Sequence, residues 1–326
     1  MNRRDTIGAL LAIAAAPLAA HAQQTAKISR IGLLSSFAPT NTALWYKAFL
    51  RGLRELGWVE GKNIGLEYRY TKGRTDRLHE LAADFVRLNV DIIVAAITPE
   101  ALAAKSATKT IPIVVASMGD PVELGLVESL ARPGGNLTGL TNVAAEQAGK
   151  RLELLKEIIP KLSRVAVLWD PQNQTSRLAW KEIQLPARQL GVQLHSLEVR
   201  SPDDFDRTFK EATKVHAGAL VTMPGLLFVA NLKLIADFAA RSRMPSLFHL
   251  REFADAGGLV AYGADRADLF RRAATYVDKI LKGAKPADLP IQQPNKFDLV
   301  INLKTAKQLG IEIPMAVLFR ADEVIE

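Results

Sequence analysis

Residues Asp120 to Thr141 read DPVELGLVESLARPGGNLTGLT, and they follow the apolar run Ile111 to Ala116. A run that is apolar throughout reads as a strand buried on both faces. Asp120-Pro121 then sets a carboxylate and a φ-restricted residue near the C-terminal end of that strand, where open parallel sheets bind ligands. The spacing predicts a helix after Pro121, a turn at Pro133-Gly134-Gly135-Asn136, where glycine and Asn accept positive φ, and a short strand from Leu137 to Leu140. That last strand carries the chain out of its first half. The stretch holds no catalytic motif.

Working outward, the same alternation repeats. Arg30 to Leu34 reads as a buried strand, and Leu44, Ala48, Leu53 and Leu56 recur at helical spacing as far as Gly57. Ile64, Leu66 and Tyr68 alternate as a strand, Leu78 to Leu88 forms an amphipathic helix, Ile92 to Ile97 a strand and Ala101 to Thr108 a short helix. After Thr141 the pattern restarts with the helix Leu152 to Ile159. Strands follow at Val165 to Trp169, Val192 to Val199, Ala217 to Met223, Pro245 to Phe248 and Gly258 to Ala261. The helix Leu269 to Leu281, the strand Phe297 to Asn302 and the helix Lys304 to Leu309 close the chain. Continuous apolar strands need both sheet faces covered, so the fold class is α/β, with parallel sheets wrapped by helices in two similar halves.

At the N-terminus, Arg3-Arg4, the apolar run Ile7 to Ala20 and Ala20-His21-Ala22 form a secretory leader, residues 1–22, with cleavage before Gln23. Asp5-Thr6 after the arginine pair favours general over twin-arginine export. With no cysteine in 326 residues there is neither a disulfide nor a lipid-modified cysteine, so a free periplasmic protein is expected. Loss of the leader takes the formal charge from +8 to +7. Lys and Arg are interspersed with acids, as in Lys150-Arg151-Glu153, which argues against a nucleic-acid partner.

Enzyme and cofactor signatures are missing. Ser35-Ser36-Phe37-Ala38 follows the first strand where a dinucleotide fold has G-x-G-x-x-G, and neither Gly61-Lys62 nor Gly149-Lys150 completes a phosphate loop. His79-Glu80 has no second histidine at helical spacing, and His195, His216 and His249 read as surface or packing residues. No cofactor, metal or catalytic residue is expected. What the chain carries instead is small polar residues at strand ends in both halves: Ser35, Ser36, Thr98, Ser117 and Asp120, then Asp170, Asn173, Thr175, Met223 and His249 to Glu252. Each hydroxyl or amide alone serves most often as a helix cap. Jointly they suit a carboxylate or a zwitterion. Phe37, Trp169 and Phe248 are the aromatic faces at or near those ends, and the Tyr262 hydroxyl is a further donor.

Leu53 to Gly61, Asp120 to Thr141, Gly149 to Lys156, Tyr276 to Ala284, Val300 to Ala306 and Arg320 to Ile325 together resemble the ABC-transporter substrate-binding protein family that includes the tryptophan/tyrosine-type binding proteins. The resemblance spans nearly all of the mature chain. It implies a type I periplasmic-binding-protein fold: two Rossmann-like lobes, three crossovers and a ligand between them. It places residues 28–140 with 264–295 in one lobe and 141–263 with 296–326 in the other, hinged at Thr138 to Thr141 and Tyr262 to Asp265. Ser36, Thr98, Asp120, Asp170 and Asn173 carry over as ligand residues, joined by Ser35, Phe37, Ser117, Met223 and Tyr262. The implied solute is a small amino acid or carboxylate, aromatic ones included, with Asp120 or Asp170 on an ammonium and the Ser36 and Thr98 hydroxyls on the carboxylate. The implied partners are an inner-membrane permease and its ATPase, with the binding protein a monomer. A periplasmic sensor for a membrane receptor shares the fold and the export signal, and a Rossmann-type enzyme is the remaining alternative.

Overall fold

A computed structural model of the chain describes residues 28–38 and 43–326; the leader read at residues 1–22 falls outside them. β1 (Ser29–Ser35), with Ile31, Leu33 and Leu34 fully buried, enters a five-stranded sheet beside β2 (Ile64–Tyr70), β3 (Ile92–Ile97), β4 (Ile113–Met118) and β5 (Leu137–Thr141). Its order is β2-β1-β3-β4-β5 and every pairing is parallel. The connecting helices α1 (Ala43–Glu55), α2 (Leu78–Arg87) and α3 (Thr98–Ala107) cover both faces. Phe49 and Leu53 of α1 fill one core layer and Leu81 and Phe85 of α2 the other, which is why the central strands β3 and β4 carry no polar alternation.

The second sheet has seven strands in the order β12-β11-β10-β9-β8-β6-β7. They are β6 (Arg164–Trp169), β7 (Gln193–Glu198), β8 (Ala219–Thr222), β9 (Ser246–Phe248), β10 (Val260–Ala264), β11 (Phe297–Asn302) and β12 (Glu323–Ile325). Around it lie α4 (Ala148–Ile158), α5 (Gln174–Gln189), α6 (Asp204–Lys214), α7 (Leu226–Ala230), α8 (Leu232–Arg241), α9 (Arg251–Asp255), α11 (Leu303–Leu309) and α12 (Met315–Leu318). α10 (Arg266–Leu281) follows β10 in sequence but packs on α1 beside the first sheet. The chain then returns to the second sheet, so β11 runs antiparallel to β10, and β12 lies parallel to β11.

Three segments therefore join the sheets, and hydrogen bonds tie them to one another. The Thr141 amide donates to the Gln292 carbonyl at 2.9 Å and the Gln292 amide to the Gly139 carbonyl at 3.1 Å. The Asp265 amide donates to the Lys296 carbonyl at 3.1 Å, reinforced by the Lys296 Nζ to Asp265 ion pair at 3.2 Å.

Several elements differ from the sequence reading, and three of the differences have a clear local cause. Between β4 and β5 there is no helix: Asp120 Oδ1 accepts the Val122 and Glu123 amides as a helix cap would, but Gly125, at φ +65°, ends the run after one turn. α3 starts at Thr98 rather than Ala101, because Pro99 fits the first turn of a helix. α10 starts at Arg266, three residues before its apolar periodicity begins, because the Asp265 side chain caps it by accepting the Asp268 amide at 2.9 Å.

Candidate ligand site

The order β2-β1-β3-β4-β5 of the first sheet recurs in the second as β7-β6-β8-β9-β10. Each sheet reverses direction at one switch point, between β1 and β3 and between β6 and β8, and the crevice outside those strand ends is where such sheets bind ligands. The two switch points face each other across a small cavity of about 40 Å³. Phe37, Thr98 and Ser117 line it from the first sheet, Asn173, Thr175 and Leu226 from the second, and Asn142, His249 and Arg266 near the crossovers. It opens toward an outer cavity of about 610 Å³ that shares Thr98, Pro99 and Asn173 and adds Asp170, Arg177 and Arg200. Gln174 Nε2 donates to the Glu123 carbonyl at 3.3 Å across the lips, so the arrangement is a closed one.

The polar lining is wired into the backbone. Thr98 Oγ1 accepts the Gly119 amide at 2.9 Å, and Asn142 Nδ2 donates to the Ser117 carbonyl and to Ser117 Oγ, each at 3.2 Å. Asn173 Oδ1 caps α5 by accepting the Ser176 amide at 2.9 Å. Ser35 and Ser36 lie fully buried just beneath the cavity. Ser35 Oγ accepts the Phe37 amide, the Ser36 amide donates to Glu100, and Ser36 Oγ has no partner within the protein.

The structure thus brings Phe37, Thr98, Ser117 and Asn173 together at the inner cavity, with Asp170 in the outer one. Asp120 is spent on its own turn, and Asp170 Oδ1 likewise accepts the Gln172 amide at 2.8 Å. Met223 is wholly buried in the core of the second sheet, and Tyr262 stacks on Phe297 at 6.0 Å. Of the aromatic faces, Phe37 alone lines the inner cavity. Trp169 is stacked on Trp180 at 5.4 Å and Phe248 on Phe253 at 4.4 Å, so the helices packed on the sheet already occupy those rings.

Two ionisable residues that the sequence reading did not assign to the site, Arg266 and His249, dominate its electrostatics. Arg266, at the first position of α10, lays its guanidinium 4.7 Å over the Trp45 ring, and its buried Nη1 has no partner within the protein. Burial pulls it down to about 10, offset by Glu252 and Glu100, which leaves it charged at neutral pH. His249, read from the sequence as a surface or packing residue, is buried, only 4% exposed, and lines the cavity with Nδ1 unpartnered. Burial first, then the nearby Arg266 and Arg151 charges, hold it well below the usual histidine range, so it is neutral. The available signal for Arg266 was Asp265 followed three residues later by Asp268, a capping pattern that sets the helix start one residue after Asp265.

Glu100, fully buried under the cavity floor, is pushed up to about 7, chiefly by burial, with its bond from Ser36 opposing the shift. Because the folded state holds this proton more tightly than the unfolded chain, ionisation destabilises the fold as pH rises from the ordinary carboxylate range to about 7. Glu100→Gln should therefore match the native protein near pH 4 and exceed it above pH 7 by at most about 3 kcal/mol. Urea unfolding midpoints across that range check this, and parallel curves for the two proteins would refute it.

A third cavity, about 600 Å³, lies on the crossover side of Arg266 and is rich in acids, among them Glu252, Asp298 and Asp322. Several of these acids are already engaged: Glu323 with Arg251 at 2.9 Å, and Asp322 Oδ2 with the Leu299 amide at 2.8 Å. It touches neither switch point, so the ligand site is assigned to the inner cavity.

A family model described as ABC transporter substrate binding protein matches residues 40–325. A tyrosine-binding protein of Clostridioides difficile (strain R20291) is 26% identical over 266 residues, 82% of this chain and 76% of that one. Among solved structures, a conserved domain protein from Vibrio cholerae superposes with a TM-score of 0.86 at 29% identity, covering 91% of this chain and 100% of its own. An ABC domain in complex with L-Trp from Streptococcus pneumonia gives 0.85 at 27% identity with the same coverage.

Proposed function

The chain belongs to the ABC transporter substrate-binding protein family, with a type I periplasmic-binding-protein fold, and on that premise we propose that it captures a carboxylate-bearing solute in the interlobe cleft for a membrane permease. The observation that carries this reading is Arg266. A buried guanidinium with an unpartnered nitrogen at the wall of the inner cavity is costly unless an anion completes it, and a ligand carboxylate matches its planar fork. The Thr98, Ser117 and Asn173 side chains supply further polar contacts. Phe37, Pro99 and Leu226 supply the apolar wall. The relatives' ligands, tyrosine and L-Trp, are carboxylates too.

The cycle follows from the geometry. With the lips apart the solute enters against one lobe; its carboxylate then meets Arg266 and draws the lobes to the closed form, in which Gln174 reaches Glu123. The closed form is what the permease reads, in the periplasm after removal of the leader. Thermal-shift screening with amino acids, aromatic acids and small aliphatic carboxylates tests the reading. A true ligand at a hundred times its Kd adds about 2.7 kcal/mol and raises Tm visibly. If no carboxylate stabilises the protein while an uncharged solute does, the reading fails.

A further inference from the structure

We infer that the solute is a carboxylate without an α-ammonium group, an inference that rests on the reading just given and narrows it. An α-ammonium lies one carbon from its carboxylate, so whatever receives it must share the inner cavity with Arg266. Among the described residues lining that cavity there is no aspartate or glutamate: its ionisable members are Arg266 and His249, and the rest are hydroxyls, amides and apolar groups. The four residues 39–42, Pro-Thr-Asn-Thr, carry no carboxylate either.

The carboxylates best placed on sequence grounds are elsewhere. Asp120 caps its own turn and does not line the inner cavity, and Asp170 sits in the outer cavity together with Arg177 and Arg200. Charge balance points the same way. A monoanion complements Arg266, whereas a zwitterion adds its own cation to a site whose histidine is kept neutral by burial first and by its cationic neighbours second. The inner cavity, at about 40 Å³, has room for only about three water-sized groups, enough for a carboxylate head whose tail extends into the outer cavity.

Two further carboxylates lie near Arg266 without lining the inner cavity, Glu100 beneath the floor and Glu252 on the crossover side. Each has one oxygen without a partner, so each enters the test. Titration calorimetry at pH 7 compares pairs that differ only in the amine: 4-methylpentanoate with L-leucine, 3-phenylpropanoate with L-phenylalanine, 3-(4-hydroxyphenyl)propanoate with L-tyrosine and indole-3-propanoate with L-tryptophan. Within the pair that binds, the amine-free acid should bind about tenfold or more tightly than the amino acid, equivalent to about 1.4 kcal/mol. Glu100→Gln and Glu252→Gln should keep that order. An amino acid that binds as well as its amine-free partner overturns the inference and leaves the carboxylate reading standing. So does an amino acid whose binding is lost selectively in either variant, since that carboxylate would then be the ammonium's receptor. Binding of no member of any pair overturns the carboxylate reading and the inference with it.

Discussion

Arg266→Met should weaken binding of the carboxylate ligand about 30- to 4,000-fold, the range expected when one partner of a buried, hydrogen-bonded charge pair is truncated at a cost of roughly 2–5 kcal/mol. Methionine keeps an apolar stem for the contact with Trp45 while removing the charge. The ligand-free variant should unfold within a few degrees of the native protein, because the guanidinium it loses is buried with one nitrogen unpartnered. Calorimetry and thermal unfolding on the same preparation separate the two effects. Unchanged affinity would move Arg266 to a purely structural role between α10 and Trp45. Equal losses of stability and affinity would mean that the variant had damaged the fold rather than the site.

Gly139→Ala should have the largest effect on stability of any glycine-to-alanine change among the described residues. A Cβ at Gly139 would lie 2.1 Å from the Val115 carbonyl oxygen and 2.6 Å from the Val115 amide nitrogen, and both are backbone atoms of the paired strand β4. No rotamer relieves such a contact. The φ of +140° adds strain for any L side chain, so a loss of about 4 kcal/mol or more is expected, roughly a 10 °C fall in Tm. Gly125→Ala is the control: φ is also positive there, at +65°, but nothing lies within 4 Å of the added atom, so the cost should be only about 1–2 kcal/mol. Equal melting temperatures for the two variants would show that the steric contact across β4 and β5 carries no weight.

Much of this architecture is written in local pattern. Ile92 to Ile97 and Ile111 to Ala116 are apolar throughout, which only a sheet covered on both faces explains, and both became parallel strands flanked by helices. Leu137 to Thr141 was legible as a strand because the Pro-Gly-Gly-Asn turn isolates it. The helix expected after Pro121 misled because an Asp cap followed by Leu126, Val127 and Leu130 at helical spacing looks helical until the conformation at Gly125 is known. At the site, the legible residues were those next to a strand end: Phe37, Thr98, Ser117 and Asn173. Arg266 escaped, and His249, named beside a strand end, was not assigned to the site, because their roles depend on distant pairings. Arg266 reaches the cavity only because α10 crosses back to α1, and His249 is buried only where the crossovers meet the end of β9. Aromatics at strand ends were the converse error, since Trp180 and Phe253 had already claimed the faces of Trp169 and Phe248.

The bonds between crossovers also bear on affinity itself. Gly139 and Thr141 pair with Gln292 and Asp265 with Lys296, so the three crossovers are tied to one another, and the proposed closure is expected to follow a single coordinate with two end states. For such a protein the apparent dissociation constant is the intrinsic one divided by the fraction of molecules in the binding-competent state. A substitution that shifts that fraction tenfold rescales the affinity for every solute by the same factor and leaves their ranking untouched. Selectivity is then set by the residues lining the cleft, while the working concentration range is set by the hinge, and selection can change the second without disturbing the first.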